Sequence, residues 1–348
     1  MSYIDSTALV KYQNKVLQNE IDIPEHGALK FLEDQTPQYR WLDDELKQKI
    51  MKANGRSISQ IAQNELSPTV TTSFSFDIPL SLGTTAEQAI TIYQFWTGFT
   101  YYPHDFSNNA ARMEDYVANK YEECDKVLAA SKASQILTVL NARKTQALDV
   151  TGAPTGILFN ASDYITIASA LQDDPFFSYL SAIMKQNSQI GTYSMLSSIS
   201  LEHTLANHKL YGKANEKNLL SQNFPKFYVE DEQDVTSGSN FTGYFVKNGC
   251  IAEAESIPSE FTSGENIGNV SRWGVGDMKL PISRQRPLIF EKEVEADTRN
   301  LTSSDRPTSA MTKGIKVGVG ISFALLYNYN SAIATRVNDI AKVEGLST

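Results

Sequence analysis

Apolar and polar positions change their period several times along the chain. In residues 24–34 they recur at helical spacing, with Pro24 at a favoured first-turn position. A second short helix is predicted over residues 41–54, where Leu42, Leu46 and Ile50 fall on one face and Gly55 lies just past the end. Asp43, Asp44 and Glu45 occupy its first turn and Lys47, Lys49 and Lys52 follow, which suits the helix dipole. Two short helices with polar links bury little by themselves. Residues 1–65 are therefore expected to form an arm that lies on another surface.

From residue 57 the period shortens to that of a strand. The run containing Val70, Phe74, Phe76, Ile78 and Leu80 is rich in β formers. A Gly83-Thr84-Thr85 turn signal follows, then a β-like run over residues 89–102, so a long hairpin is expected. Residues 109–148 pass forty positions without Gly or Pro, at high helix propensity. Met113, Val117, Tyr121, Cys124, Leu128, Ile136 and Leu140 form the apolar stripe. A helix of that length reaches roughly 60 Å and reads as a spine.

Past the spine the pattern is mixed. A turn into a strand is expected at residues 152–160, and a helix after Asp174-Pro175 with Gly191 beyond its end. Residues 227–229 and 243–247 are expected to pair. Ile315, Val317, Val319 and Ile321 alternate with Lys316, Gly318, Gly320 and Ser322, the pattern of a half-buried strand.

Charge narrows the function. Lys plus Arg number 31 and Asp plus Glu 40, so 31 − 40 gives a net charge of −9. An acidic surface repels phosphate backbones, which excludes tight nucleic-acid binding as a first reading. Residues 57–105 contain no Lys or Arg but hold Glu65, Asp77, Glu87 and Asp105. Cys124 and Cys250 form no CxxC pair, so neither a disulfide framework nor a zinc site is indicated. The N-terminus lacks the basic-then-apolar pattern of a secretory signal, and no apolar run approaches the ~20 residues of a membrane span.

Catalytic chemistry finds no motif. No Walker loop, HExxH or GxSxG occurs. Gly314, Gly318 and Gly320 lack the third glycine and the following helix of a dinucleotide loop. His203 and His208 stand five apart, poorly spaced for joint chelation on a helix. The pairs Asp43-Asp44, Glu122-Glu123 and Asp173-Asp174 suit helix termini or a solvated helix face. The aromatic cluster Tyr93, Phe95, Trp96, Phe99, Tyr101 and Tyr102 has no nearby cation to hold phosphates, so it reads as core or subunit contact. No catalytic residue, metal site or cofactor is expected.

The order of parts resembles the major capsid protein of tailed bacteriophages, the Hong Kong 97-like fold. Gly152-Ala153-Pro154-Thr155-Gly156-Ile157-Leu158-Phe159-Asn160 is similar to that family's entry into its axial domain, and Gly243-Tyr244-Phe245-Val246-Lys247 to its late strand pair. Gly276-Asp277-Met278 stands at a Gly-Asp step, and residues 315–334 resemble its closing strands. The resemblance implies an α+β fold in five parts: an N-terminal arm (1–65), an extended β-hairpin loop (66–105), a peripheral domain with a long spine helix (106–150), an axial domain (151–275) and return strands of the peripheral domain (276–348).

By that resemblance the chain is a non-enzymatic shell subunit. It would self-assemble as pentamers and hexamers around double-stranded DNA, in a virion capsid assembled in the host cytoplasm. Implied partners are a separate scaffolding protein, a portal, weakly contacted DNA and a decoration protein, with no membrane. Alternatives are an encapsulin-like compartment shell and a cytosolic α/β enzyme. The candidate inter-subunit contacts are Trp41, Trp96, the acidic loop residues Asp77 and Glu87, and a basic spine surface of Lys126, Lys132, Arg143 and Lys144. The loop has no Lys between Lys52 and Lys120, so covalent crosslinking through it is not expected.

Overall fold

The computed structural model describes residues 3–18, 24–39, 42–52, 58–63, 85–106, 110–172, 176–201, 226–233, 235–258, 261, 272–294, 314–327 and 337–347. The chain starts with helices α1 (Tyr3–Leu17), α2 (Gly27–Gln35) and α3 (Asp44–Met51). Strands β1 (Ile58–Gln63), β2 (Thr85–Ile90) and β3 (Ile92–Tyr101) precede the long helix α4 (Ala110–Ala142). Next come β4 (Ile157–Asn160), β5 (Tyr164–Ile167), α5 (Phe177–Gln186), β6 (Tyr193–Ser197), β7 (Lys226–Val229) and β8 (Ser239–Lys247). The remainder is β9 (Ile251–Glu255), β10 (Arg272–Val275), β11 (Leu288–Val294), β12 (Gly314–Tyr327) and β13 (Ile340–Leu346).

These strands form three sheets. A five-stranded sheet runs β10-β11-β12-β3, with β9 also pairing β12. A six-stranded sheet runs β4-β5-β13-β8-β6-β7. The hairpin β1–β2 is a two-stranded sheet of its own, registered from Ile58↔Ile90 to Gln63↔Thr85.

The main core lies between the five-stranded sheet and the helices. Val117, Tyr121, Leu128, Ile136 and Leu140 of α4 meet Val317, Val319, Ile321 and Phe323 of β12. The stripe read from the sequence is the buried face. Within the described residues, α4 ends at Ala142, short of the expected 148, because other parts of the chain take over its bonds. Asn338 Nδ2 donates to the Arg143 carbonyl at 2.5 Å, and the Thr145 amide donates to Ile340 O at 2.7 Å. A second core packs α5 on the six-stranded sheet, through Phe176, Leu180, Met184, Phe241, Phe245 and Val343.

The structure departs from the sequence reading at five further places. First, the leader is core. Ala8, Leu9 and Tyr12 of α1 and Ala28, Leu29, Phe31 and Leu32 of α2 belong to the main cluster. Each aromatic so buried contributes roughly 1.5–3 kcal/mol, so this segment is integral to the subunit. Second, the expected hairpin's first strand, over residues 69–80, lies outside the described residues, and β2 pairs with β1. The run expected to be the hairpin's second strand breaks at Thr91, and β3 pairs with β12 from Ile92↔Ala324 to Tyr101↔Ile315. Third, β7 and β8 do not pair; each flanks β6, β7 parallel and β8 antiparallel.

Fourth, β12 is buried on both faces and not on one. Its alternate residues are small, and aromatic rings cover them. A Cβ on Gly318 would lie 2.1 Å from the Phe290 ring, and one on Gly320 2.4 Å from Trp96. Fifth, the strands of residues 151–275 do not all join one sheet. The chain leaves the six-stranded sheet after β8, since β9 and β10 join the other sheet, and β13 returns to lie between β5 and β8.

Candidate inter-subunit surfaces

Buried polar contacts fix the arm to the body before any surface is considered. Tyr12 on α1 donates its hydroxyl to Asp125 Oδ2 on α4 at 2.8 Å. Asp125 is fully buried and also accepts the amides of Ile282 and Ser283, each at 2.9 Å. Burial raises the pKa of this carboxyl. One turn pair further along the same helix, Lys132 bonds Glu253 of β9 at 2.7 Å and the Ser283 carbonyl at 3.0 Å.

Helix α2 is fixed at its start. Glu230, just past β7, is fully buried; its Oε2 accepts the Ala28 amide at 2.7 Å and its Oε1 lies 3.0 Å from His26 Nδ1. A carboxylate at a helix N-terminus satisfies an otherwise unpaired amide and suits the dipole. The bond to Glu230 raises the pKa of His26. Near the end of the helix, Gln35 Oε1 accepts the Gly249 amide at 2.7 Å. Arg286 reaches both carboxylate oxygens of Glu255, at 2.7–3.0 Å.

The expected spine cations differ in their surroundings. Lys126 is 41 % exposed and pairs with Glu122 at 2.6 Å, four residues earlier on its own helix. Lys132 is 1 % exposed, so the structure removes it from any basic surface. The Arg143 guanidinium sits 4.4 Å from the centre of the Tyr327 ring. Lys144 Nζ donates to the Ser162 carbonyl at 2.9 Å. The cations of the second half of the spine are thus largely engaged within the subunit.

Trp96 is 41 % exposed on the outward face of β3, stacked on Phe261 with ring centres 5.6 Å apart and tilted against Phe290 at 5.7 Å. Trp41 and Asp77 lie outside the described residues, as do His203 and His208. Glu87 is placed on β2 opposite Ile61. Cys124 and Cys250 are buried free thiols; burial pushes Cys124 up to about 11 and Cys250 well above its usual value. Among the described residues no group of three or more His, Cys, Asp or Glu side chains could hold a metal ion. No helix among them is long and apolar enough to cross a membrane.

Sequence reasoning missed Tyr12, Asp125, His26 and Glu230. No local motif marks them, because Tyr12 and Asp125 stand 113 residues apart and Ala28 and Glu230 202 apart.

No family model matches the chain, and no curated protein matches it. Solved structures do. A chain from Mycobacterium phage Adephagia is 10 % identical, with 94 % of this chain and 92 % of that chain covered and a TM-score of 0.47. One from Mycobacterium phage Cain is 11 % identical over 94 % of this chain and 92 % of that chain, with a TM-score of 0.46. A chain from the asymmetric unit of the bacteriophage PhiM1 mature capsid is 9 % identical over 86 % of this chain and 84 % of that chain, with a TM-score of 0.43.

Proposed function

We propose that this chain is a major capsid protein, which self-assembles into the icosahedral head shell of a tailed phage and encloses its DNA without a catalytic role. The hairpin carries the reading. β1 and β2 pair with each other and, among the described residues, with no other strand. At its base Ile58 and Ile90 hold it to a small apolar cluster with Ile50, Ala252 and Leu326. An isolated two-stranded ribbon is marginal in water, so its outer part needs a surface from another chain. In this reading the five-stranded sheet with α4 is the peripheral part and the six-stranded sheet with α5 the axial part. Trp41, Asp77, Glu87, Trp96 and Lys126 are the proposed contacts between subunits. The net charge of −9 suits a wall that does not hold packaged DNA tightly.

Electron microscopy of the purified chain tests this, with scaffolding protein supplied if shells fail to close alone. Closed shells or capsomers are expected. A monodisperse monomer or dimer at high concentration, with or without scaffold, rejects the reading.

A further inference from the structure

Where α4 meets the turn before β11, two side chains share one carboxylate oxygen. Lys132 Nζ donates to Glu253 Oε1 at 2.7 Å, and Gln285 Nε2 donates to the same oxygen. Lys132 is 1 % exposed and Gln285 4 %. The amide oxygen of Gln285 is buried and has no hydrogen-bond partner among the described residues. The Phe323 ring centre lies 5.3 Å from Nζ and walls the site. A cavity of about 190 Å³ opens beside the three side chains, lined also by Lys279 and Arg284.

We propose that Lys132 and Gln285 become joined by an intrachain isopeptide bond, with Glu253 carrying the protons. The Lys132 ammonium loses nearly all of its hydration on burial, which disfavours the charged form. Desolvation lowers the pKa of Lys132, in the direction that frees the amine. Half a turn of the Gln285 amide exchanges its oxygen and nitrogen. Its unpartnered oxygen then accepts the acid proton of Glu253, which polarises the amide carbon.

The lysine lone pair attacks that carbon, forming the new C–N bond. The intermediate collapses as Glu253 passes a proton from the lysine nitrogen to Nε2. The old C–N bond breaks and ammonia leaves through the cavity. Lysine amine and glutamine amide give a secondary amide and ammonia, with no oxidant or other reactant. The product ties the spine helix to the turn before β11 within one subunit, and it does not rest on the shell reading.

The test is the mass of the full-length protein in denaturant. The expected mass is that of the sequence less one ammonia, with a tryptic digest yielding a branched peptide that joins Lys132 to Gln285. Lys132→Arg and Glu253→Gln should each return the full sequence mass. If either variant fails to fold, the wild-type mass and branched peptide still decide. A wild-type chain of full mass overturns the proposal. So does loss of one water, which would place the bond between Lys132 and Glu253. Loss of ammonia without the branched peptide overturns it as well, because a succinimide at Asn248-Gly249 loses the same mass.

Discussion

Asp125 and Lys132 stand seven residues apart on one face of α4 and grip the same turn. Asp125 takes the amides of Ile282 and Ser283, and Lys132 takes the Ser283 carbonyl. Seven residues bring a helix round to within about 20° of the same direction, so two charges of opposite sign meet one loop from one side. That turn holds Arg284 at a φ of 59°, a left-handed conformation that is uncommon for a non-glycine residue. Tyr12 joins Asp125 from the other side, so the arm, the spine and the turn close on one buried carboxylate.

Removing that carboxylate should be costly. Asp125→Ala leaves two buried amides and the Tyr12 hydroxyl without their acceptor, a loss of roughly 3–5 kcal/mol. Asp125→Asn keeps one acceptor oxygen and should cost less than the alanine variant. Urea denaturation of the soluble subunit measures both. Equal and small effects, under about 1 kcal/mol, would mean the carboxylate is not carrying these bonds.

The His26–Glu230 pair makes the seating of α2 depend on pH. The folded pKa of His26 lies above its ordinary value of 6.5 because of Glu230, aided by the charges of Glu232 and Asp231. A raised pKa means that the histidinium contributes stability fully below 6.5 and that this is lost as pH rises through the folded value. Thermal stability of the wild type relative to His26→Gln should therefore be greatest in acid and shrink above neutrality. A difference that is flat across roughly pH 5 to 8, the ordinary titration range of histidine, or that grows with pH would contradict the pairing.

Much of this fold was legible, and the failures have physical causes. The spine was readable because forty residues without Gly or Pro and a steady apolar stripe leave few alternatives. Asp43 was read as part of an acidic first turn, and it caps α3 by accepting the Leu46 amide at 2.7 Å. Helix α1 was missed because the described apolar residues of its buried face, Ala8, Leu9, Tyr12 and a partly buried Val16, stand among polar neighbours. β12 was misread because Gly318, Gly320 and Ser322 look polar in an alternating pattern, whereas they are small residues on a covered face. The basic spine surface also conflicts with helix geometry. Lys126 and Lys132 are six residues apart and so point about 120° away from each other.

The glycine floor under the aromatic rings gives a packing prediction. Gly318→Ala puts a methyl group into the Phe290 ring, which must move, at a cost of roughly 1–3 kcal/mol. Pairing it with Phe290→Ala frees the space, so the double variant should be less destabilised than the sum of the singles. A double-mutant cycle by chemical denaturation gives the coupling. Strict additivity would show that the ring does not rest on Gly318.

The charge of the hairpin gives the prediction that bears most directly on assembly. Every formal charge in residues 57–105 is negative, and an exposed two-stranded ribbon without charge or partner invites uncontrolled edge pairing. Lys132 is buried and Arg143 and Lys144 are engaged within their own subunit, which leaves Lys126 as the exposed member of the proposed basic surface. Lys126 is already paired with Glu122, so any attraction to the loop competes with a local ion pair. An exposed pair contributes about 0–1 kcal/mol, and only its repetition over many subunits could bias assembly. Asp77→Lys with Glu87→Lys should lower the yield of shells, and raising salt should weaken wild-type assembly by screening the same attraction. Lys126→Glu alone should produce a smaller loss in the same direction. Unchanged yields in the double variant would leave the hairpin held by packing, with its acids serving only to keep the free subunit from pairing edge to edge.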